Sequence, residues 1–475
     1  MLLRSRHIIR LACIFSLSSS FVYAEKSENV ASSTQSHAVA VAEVTQGGNA
    51  DEMTVESPIL SVNQWGLAIG MRRADIPFAV SEVSEDTAVY DILPLIKFEN
   101  DYGFINGLEG GVHLWKNADH QVNVYSRFRF NDIPKEFQNE IKGQSFDFGL
   151  QYRYFDGPWE ADIAVLSDNY KRSYGYTRAQ YRWKYDSWSL IPFAEFKWKS
   201  ADFNDYYYGF DLEHVGAGVS ASGGIKGAYH VASNLHLIGQ FGVTRLEDNV
   251  YDLERVEKNY QLESFLGIAF YPDPNKPFVR TAGKEKTDEY LRLAYGWATP
   301  SNIGDILKFN TERDDENNQM SSVFYGTQVA DSLLTMPIDI YFTPGLVWHY
   351  SSDVQQDIAE VVLAIKAFYT FDFGPRWRLG IAEGLSYVSN ITYIEGFELT
   401  GEDSKKGYEN SSKLLNYLDF SLDVNVGDIF NNKALAQTWF GYSIHHRSGI
   451  FESSSVFGRI KGGSNYQTVY LQWHF

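Results

Sequence analysis

His446 and Ser448 stand two residues apart near the end of the chain. A serine ester hydrolase needs a hydroxyl, a base within hydrogen-bond reach of it and, as a rule, a third group that orients the base. Side chains two apart on a β-strand point to one face, so a strand through this stretch presents imidazole and hydroxyl together. Parity puts Ala436, Phe440, Tyr442 and Ile444 on that same face, which makes it the apolar side of the strand. The plainer reading is that His446, Arg447 and Ser448 are polar residues at a membrane interface, near lipid phosphates. His445 has the opposite parity and is expected to fill a lumen, while His113 and His120 read as hairpin or lumen residues. Asp314-Asp315-Glu316 carries enough carboxylate for Ca²⁺, but a solvated acidic loop is the commoner outcome. There is no glycine-rich nucleotide loop and no zinc-ligand spacing, so neither cofactor nor metal is expected.

These residues need a scaffold, and composition narrows it. The chain has 475 residues, 16% of them aromatic, with 31 Tyr, 32 Phe and 11 Trp. Tyr and Trp settle where apolar and wet surroundings meet, as in the girdles of membrane barrels. Mean hydropathy is −0.29, and after the N-terminus no run of 18 apolar residues offers a spanning helix. The formal net charge of −19 excludes nucleic-acid binding, which needs a basic surface. Arg4, Arg6 and Arg10 precede the apolar run Leu11–Val22, and Val22-Tyr23-Ala24 suits cleavage before Glu25, so residues 1–24 are expected to be an export signal. The one cysteine, Cys13, lies within it, and Arg10 stands where a lipoprotein cleavage site needs an apolar residue. The exported chain then has no disulfide, and a closed hydrogen-bonded sheet is another source of stability.

Residues 25–58 are rich in Ser, Ala and Glu, contain no aromatic, and are expected to form a disordered periplasmic tail. From Leu60 onward, segments of ten or more residues alternate apolar and polar. Val122, Val124, Phe128 and Phe130 oppose Asn123, Tyr125, Arg127 and Arg129; Val469, Leu471, Trp473 and Phe475 oppose Thr468, Tyr470, Gln472 and His474. Tilted strands of about 9–11 residues cross a hydrocarbon core, whereas soluble strands are nearer 5–6. The fold class expected is all-β, with transmembrane antiparallel up-and-down barrels of about 12 strands over residues 59–271 and about 8 over residues 288–475. Pro272–Asp288 is rich in Pro, Lys and Thr; residues 272–287 read as a linker, or as a loop in one ring of about 20 strands. In the second half, loops 298–319, 391–413 and 447–463 are long and 331–335, 373–375 and 428–433 short, which places both chain ends of that barrel on the periplasmic side. In the first half the alternation is blurred, and 131–143 (NDIPKEFQNEIKG) looks helical.

Residues 60–271 resemble the MipA/OmpV family of outer-membrane proteins, through Leu93–Trp115 (LPLIKFENDYGFINGLEGGVHLW), the polar insert near Pro134–Gly143, and Asn204–Phe210 (NDYYYGF). That resemblance implies a non-enzymatic scaffold for periplasmic cell-wall enzymes and brings no catalytic residue. Residues 288–475 resemble the PagL-type lipid A deacylases through Tyr442–Gly463 (YSIHHRSGIFESSSVFGRIKGG) and the last strand. The resemblance implies an ester hydrolase with His446 as base and Ser448 as nucleophile. The family's orienting Glu near the start of the last strand is replaced here by Gly463-Ser464-Asn465, which leaves Glu452 as the candidate third member, with Asn465 the other residue that could reach His446. The expected setting is the bacterial outer membrane, in contact with lipid and lipopolysaccharide. The terminal Phe475 is similar to the signal read by the barrel assembly machinery. A passive pore is the third reading.

Overall fold

The computed structural model describes residues 64–79, 87–130, 132, 144–274, 289–308, 310–400, 412–449 and 463–475. The expected export signal and tail, nearly all of the 131–143 insert, most of the 272–287 linker, and Glu452 lie outside them.

The first half contains β1 (Gln64–Asp75), β2 (Ala88–Glu99), β3 (Gly103–Asn106), β4 (Glu109–Lys116), β5 (His120–Phe130), β6 (Gln144–Asp156), β7 (Trp159–Ser167), β8 (Ser173–Tyr181), β9 (Trp183–Tyr185), β10 (Trp188–Lys199), β11 (Gly218–Ala232), β12 (Leu235–Arg245) and β13 (Tyr260–Phe270). β8 and β9 are one strand interrupted at Arg182, since both pair with β10. Each remaining strand pairs antiparallel with the next, and β13 returns to β1, with Leu67 opposite Phe270 and Ala74 opposite Glu263. The wall is therefore a closed barrel of twelve strands. A second, eight-stranded barrel follows: β14 (Glu289–Thr299), β15 (Gln319–Ala330), β16 (Ile338–His349), β17 (Ile358–Asp372), β18 (Arg376–Val388), β19 (Leu414–Asn425), β20 (Thr438–Ser448) and β21 (Gly463–His474). It closes through β14 and β21, where Leu293 faces Leu471. A single ring of about 20 strands is excluded, because β13 pairs with β1 and not with β14.

The alternation in sequence is the cause of this closure. With no water in the hydrocarbon to satisfy a free edge, the strands must pair all the way round. Outward positions are apolar and open, among them Leu150, Val165, Phe196, Leu266, Leu346 and Ile381; inward neighbours such as Asn123, Asp147, Asp162, Arg292 and Asp419 are buried. At one end of the first barrel tight turns hold two residues each, at 157–158, 186–187 and 233–234, with left-handed φ at Gly157, Asp186 and Ser233 as tight hairpins require. Exposed Trp115, Trp159, Trp183 and Trp188 ring this end. The other end carries the long connections 76–87, 131–143, 200–217 and 246–259. The alternation that looks blurred in the sequence is thus regular in the structure, and it puts the short turns toward the periplasm. The blur comes from β3 and β4, whose hairpin turns after Asn106 on the long-loop side.

That hairpin leaves the wall low. β2 pairs with β1 along its full length but with β3 only over Lys97–Glu99. Gly107 N–H donates to Ile96 O, so Ile96 and, by parity, Pro94 turn their backbone toward β3. Pro94, which has no N–H to offer, therefore lies on the edge that β3 leaves open among the described residues. The two barrels meet by their outer faces near this place. Phe98 stacks on Phe342 at 3.9 Å between ring centroids, and Trp65 and Ile96 pack with Ile340 and Ile365.

Candidate functional site

β20 rises toward the long-loop end and carries His446 and Ser448 at its top. Phe440 on the same face is exposed, while His445 and Arg447 are buried inside, so the pair lies on the outer surface as parity requires. Ala436 does not share that face, because it ends a short 3₁₀ turn before the strand begins. In register, His446 lies opposite Asn465 and Ser448 opposite Gly463. Asn465 Nδ2 donates to Ser301 O at 2.9 Å. A carbonyl only accepts, so the amide nitrogen must face Ser301 and Oδ1 must face His446. Oδ1 lies 2.7 Å from His446 Nδ1, which makes Nδ1 the protonated nitrogen and leaves Nε2 with its lone pair. An imidazole oriented by Asn in this way is a base of the kind found in Cys-His-Asn hydrolases. Ser448 makes no hydrogen bond to His446 in this state; a Cβ placed on Gly463 would lie 3.9 Å from both His446 Cε1 and Ser448 Cβ. The two side chains therefore flank a space over Gly463.

Asn465 and Glu452 were the two residues the sequence offered as partners of His446, and Asn465 is the one that meets it. The signal was present as the residue standing where an acid was sought, but only the β20–β21 register brings it to His446. His445 Nε2 lies 3.2 Å from Glu360 inside the barrel. His113 bonds Asn123 inside the larger barrel, and His120 bonds Tyr152 Oη beside a short turn. Asp314 accepts from the backbone and side chain of Asn318, a local loop bond. Among the described residues no group of three or more His, Cys, Asp or Glu is arranged to hold a metal.

The smaller barrel is filled. Arg292 and Lys366 share Asp419, Arg378 pairs with Asp423, and Glu360 takes bonds from His349 and Ser386. At the long-loop mouth the helix Tyr393–Thr400 places Glu395 against Arg447 and Ser464. Buried charges are tolerated only when paired, and this ladder is the pairing. The larger barrel is capped at its long-loop end. Ser200 Oγ caps the helix Ala201–Tyr207, whose Phe203 and Tyr207 pack with Phe78, Leu246 and Val250. Beneath the cap lies a cavity of about 680 Å³ that reaches down to Tyr271 and His236 near the short turns.

Residues 78–271 match the family model of the MltA-interacting protein MipA. The MltA-interacting proteins of Escherichia coli K12 and Shigella flexneri are each 25% identical to the chain over 219 residues, covering 39% of this chain and 82% of theirs. Among solved structures, Wzi of Escherichia coli, an outer-membrane carbohydrate-binding β-barrel, shares 9% identity at a TM-score of 0.23 over 86% of this chain and 84% of its own. LpxR of Salmonella typhimurium shares 8% at 0.18 over 63% and 88%. The chain is a bacterial outer-membrane protein whose larger barrel contains a region that matches the MipA family model.

Proposed function

We propose that this protein holds a periplasmic cell-wall enzyme at the outer membrane. The match of residues 78–271 to the MipA family carries the reading, since the relatives are named for interacting with MltA. The filled small barrel and the capped large one weigh against a passive pore. The short-turn rim, with Asp119, Lys184 and Asp186, is the surface such a partner would meet. The test uses the full chain in detergent micelles and purified MltA. Saturable binding that falls when Lys184 and Asp186 exchange charge supports the reading. No binding, together with unchanged membrane association of cell-wall enzymes in cells lacking the protein, contradicts it.

The His446–Asn465 bond favours a second reading, an ester hydrolase acting on an outer-leaflet lipid such as lipid A. Ser448 Oγ attacks the ester carbonyl while His446 Nε2 takes its proton. The tetrahedral intermediate expels the alkoxide, which the imidazolium protonates. Water activated by the same imidazole then releases the acyl chain from Ser448. Asn465 keeps Nδ1 protonated and the ring aimed throughout. A half-buried position on the outer face at the long-loop end suits an acyl substrate. Mass spectra of lipid A from cells making the wild type or Ser448→Ala decide it: a missing acyl chain in the wild type alone supports hydrolysis, and identical spectra remove it.

A further inference from the structure

The cavity of the larger barrel has two unlike walls. One side is apolar: Leu93 and Leu95 on β2, Ile238 on β12 and Phe265 on β13 line it. This wall is thin because of glycine. A Cβ on Gly70 would come within 2.4 Å of the Phe265 ring, and one on Gly66 within 2.4 Å of the Tyr271 ring. Both rings therefore lie close against β1, in space that a side chain there would fill. A twelve-stranded barrel filled by ordinary side chains would have little room; here about 680 Å³ stays open, within the range of about 300–1,000 Å³ typical of ligand pockets.

The adjoining side is cationic, with Arg127, Arg178 and Lys226 among its lining. Arg178 is paired with Asp162 at 2.8 Å. Among the described residues Arg127 makes its one ion pair with Glu109, at 3.5 Å, and Arg178 draws on that same carboxylate at 3.5 Å; the buried Glu195 attracts both guanidiniums from farther off. Arg127 Nη1 is buried with no hydrogen-bond partner. Lys226 makes no ion pair or hydrogen bond among the described residues, and its ammonium stands 5.4 Å from the Phe193 ring. Glu109 is thus shared by three cations, and Arg127 Nη1 and the Lys226 ammonium keep donors for a further anion. Register joins the two walls, since Lys226 lies opposite Gln240 and Gln240 opposite Phe265. An unpartnered buried donor is costly, and a guanidinium and an ammonium that both face Glu109 offer charge-assisted donors to a carboxylate or phosphate.

We propose that the lumen of the larger barrel binds an anionic amphiphile, with its acyl chain along Leu93, Leu95, Ile238 and Phe265 and its carboxylate or phosphate on Arg127 and Lys226. The cavity reaches the short-turn end near Tyr271 and His236, and that mouth is the way in for such a ligand. Neither the anchoring role nor the Ser448 site is needed for it.

The full-length protein in neutral detergent is titrated with spin-labelled stearate and with its methyl ester, which has the same chain and no charge. A charge-assisted contact of about 1.5–3 kcal/mol corresponds to at least about tenfold in affinity, so stearate is expected to bind about tenfold or more tighter than the ester. Arg127→Gln with Lys226→Gln removes that preference; Glu109 keeps Arg178 as partner, and Lys226→Gln alone serves if the double variant does not fold. Ile238→Trp, which fills the apolar side, lowers the affinity for both probes about tenfold or more. Heat-dependent gel mobility checks that each variant still forms a barrel. Competition by oleate or by lysophosphatidylglycerol distinguishes a free fatty acid from a phospholipid as the natural occupant, and displacement by either supports the site. Equal binding of stearate and ester, displacement by inorganic phosphate alone, or stearate binding unchanged by Ile238→Trp overturns it.

Discussion

Parity within one strand suffices to put His446 and Ser448 on a common outer face, and the structure places them there. The partner of the base was not legible in the same way. Asn465 reaches His446 through cross-strand register, and the length of the segment between β20 and β21 leaves that register free until the strands pair. If the site hydrolyses esters, Asn465 fixes the imidazole tautomer, and Asn465→Leu should lower deacylation about a hundredfold, as general-base contributions run at about 10²–10⁴. Asn465→Asp keeps an acceptor facing Nδ1 and should retain most of the activity. Lipid A mass spectrometry with the protein level controlled reads both. Equal activity in wild type and Asn465→Leu would assign Asn465 to packing alone.

At the scale of elements, alternation and strand length made the strands readable, and the eight strands of the second half fall within a few residues of their expected bounds. The exceptions have physical causes. β3 is four residues long, too short to show a period, and β8 and β9 are broken at Arg182, so turn lengths in the first half could not be told apart by pattern. Which face meets lipid is the claim most open to measurement here. Leu266 is 71% exposed near the middle of β13, and Leu266→Arg should destabilise the barrel by about 2–4 kcal/mol, the cost of such a charge near the bilayer midplane. Denaturant titration in lipid vesicles measures it, and a cost near zero would place that face in water. A second prediction concerns the turn after β19. Asp428 accepts from the Arg376 backbone N–H and guanidinium, and the Arg376 hydrogen bond holds its carboxyl below the ordinary aspartate range. A depressed folded pKa means the contribution is present above the unfolded value of about 3.9 and is lost as pH falls through the folded one. Hydrogen exchange at the Arg376 amide should therefore quicken in acid in the wild type, and be fast and pH-independent apart from intrinsic chemistry in Asp428→Ala.

For the whole molecule, the aromatic excess and the absence of a spanning helix in the sequence pointed to barrels, and the unlike segment after Phe270 pointed to two. What the sequence could not supply was closure, because which strand ends a ring depends on pairing between residues about 200 apart. The same limit hid the lumen cavity, whose walls are drawn from many strands. Closure is also the point on which the account stands. In outer membranes from cells making a Cys13→Ser background, Ile69→Cys with Ile268→Cys and Leu293→Cys with Leu471→Cys join residues directly opposite in register. Cα atoms in such pairs lie about 4.5–5.5 Å apart, within disulfide reach. Two separate rings predict that both pairs crosslink within one chain. A link between Ile268→Cys and Leu293→Cys, with none between Ile69→Cys and Ile268→Cys, would join β13 to β14 and contradict them.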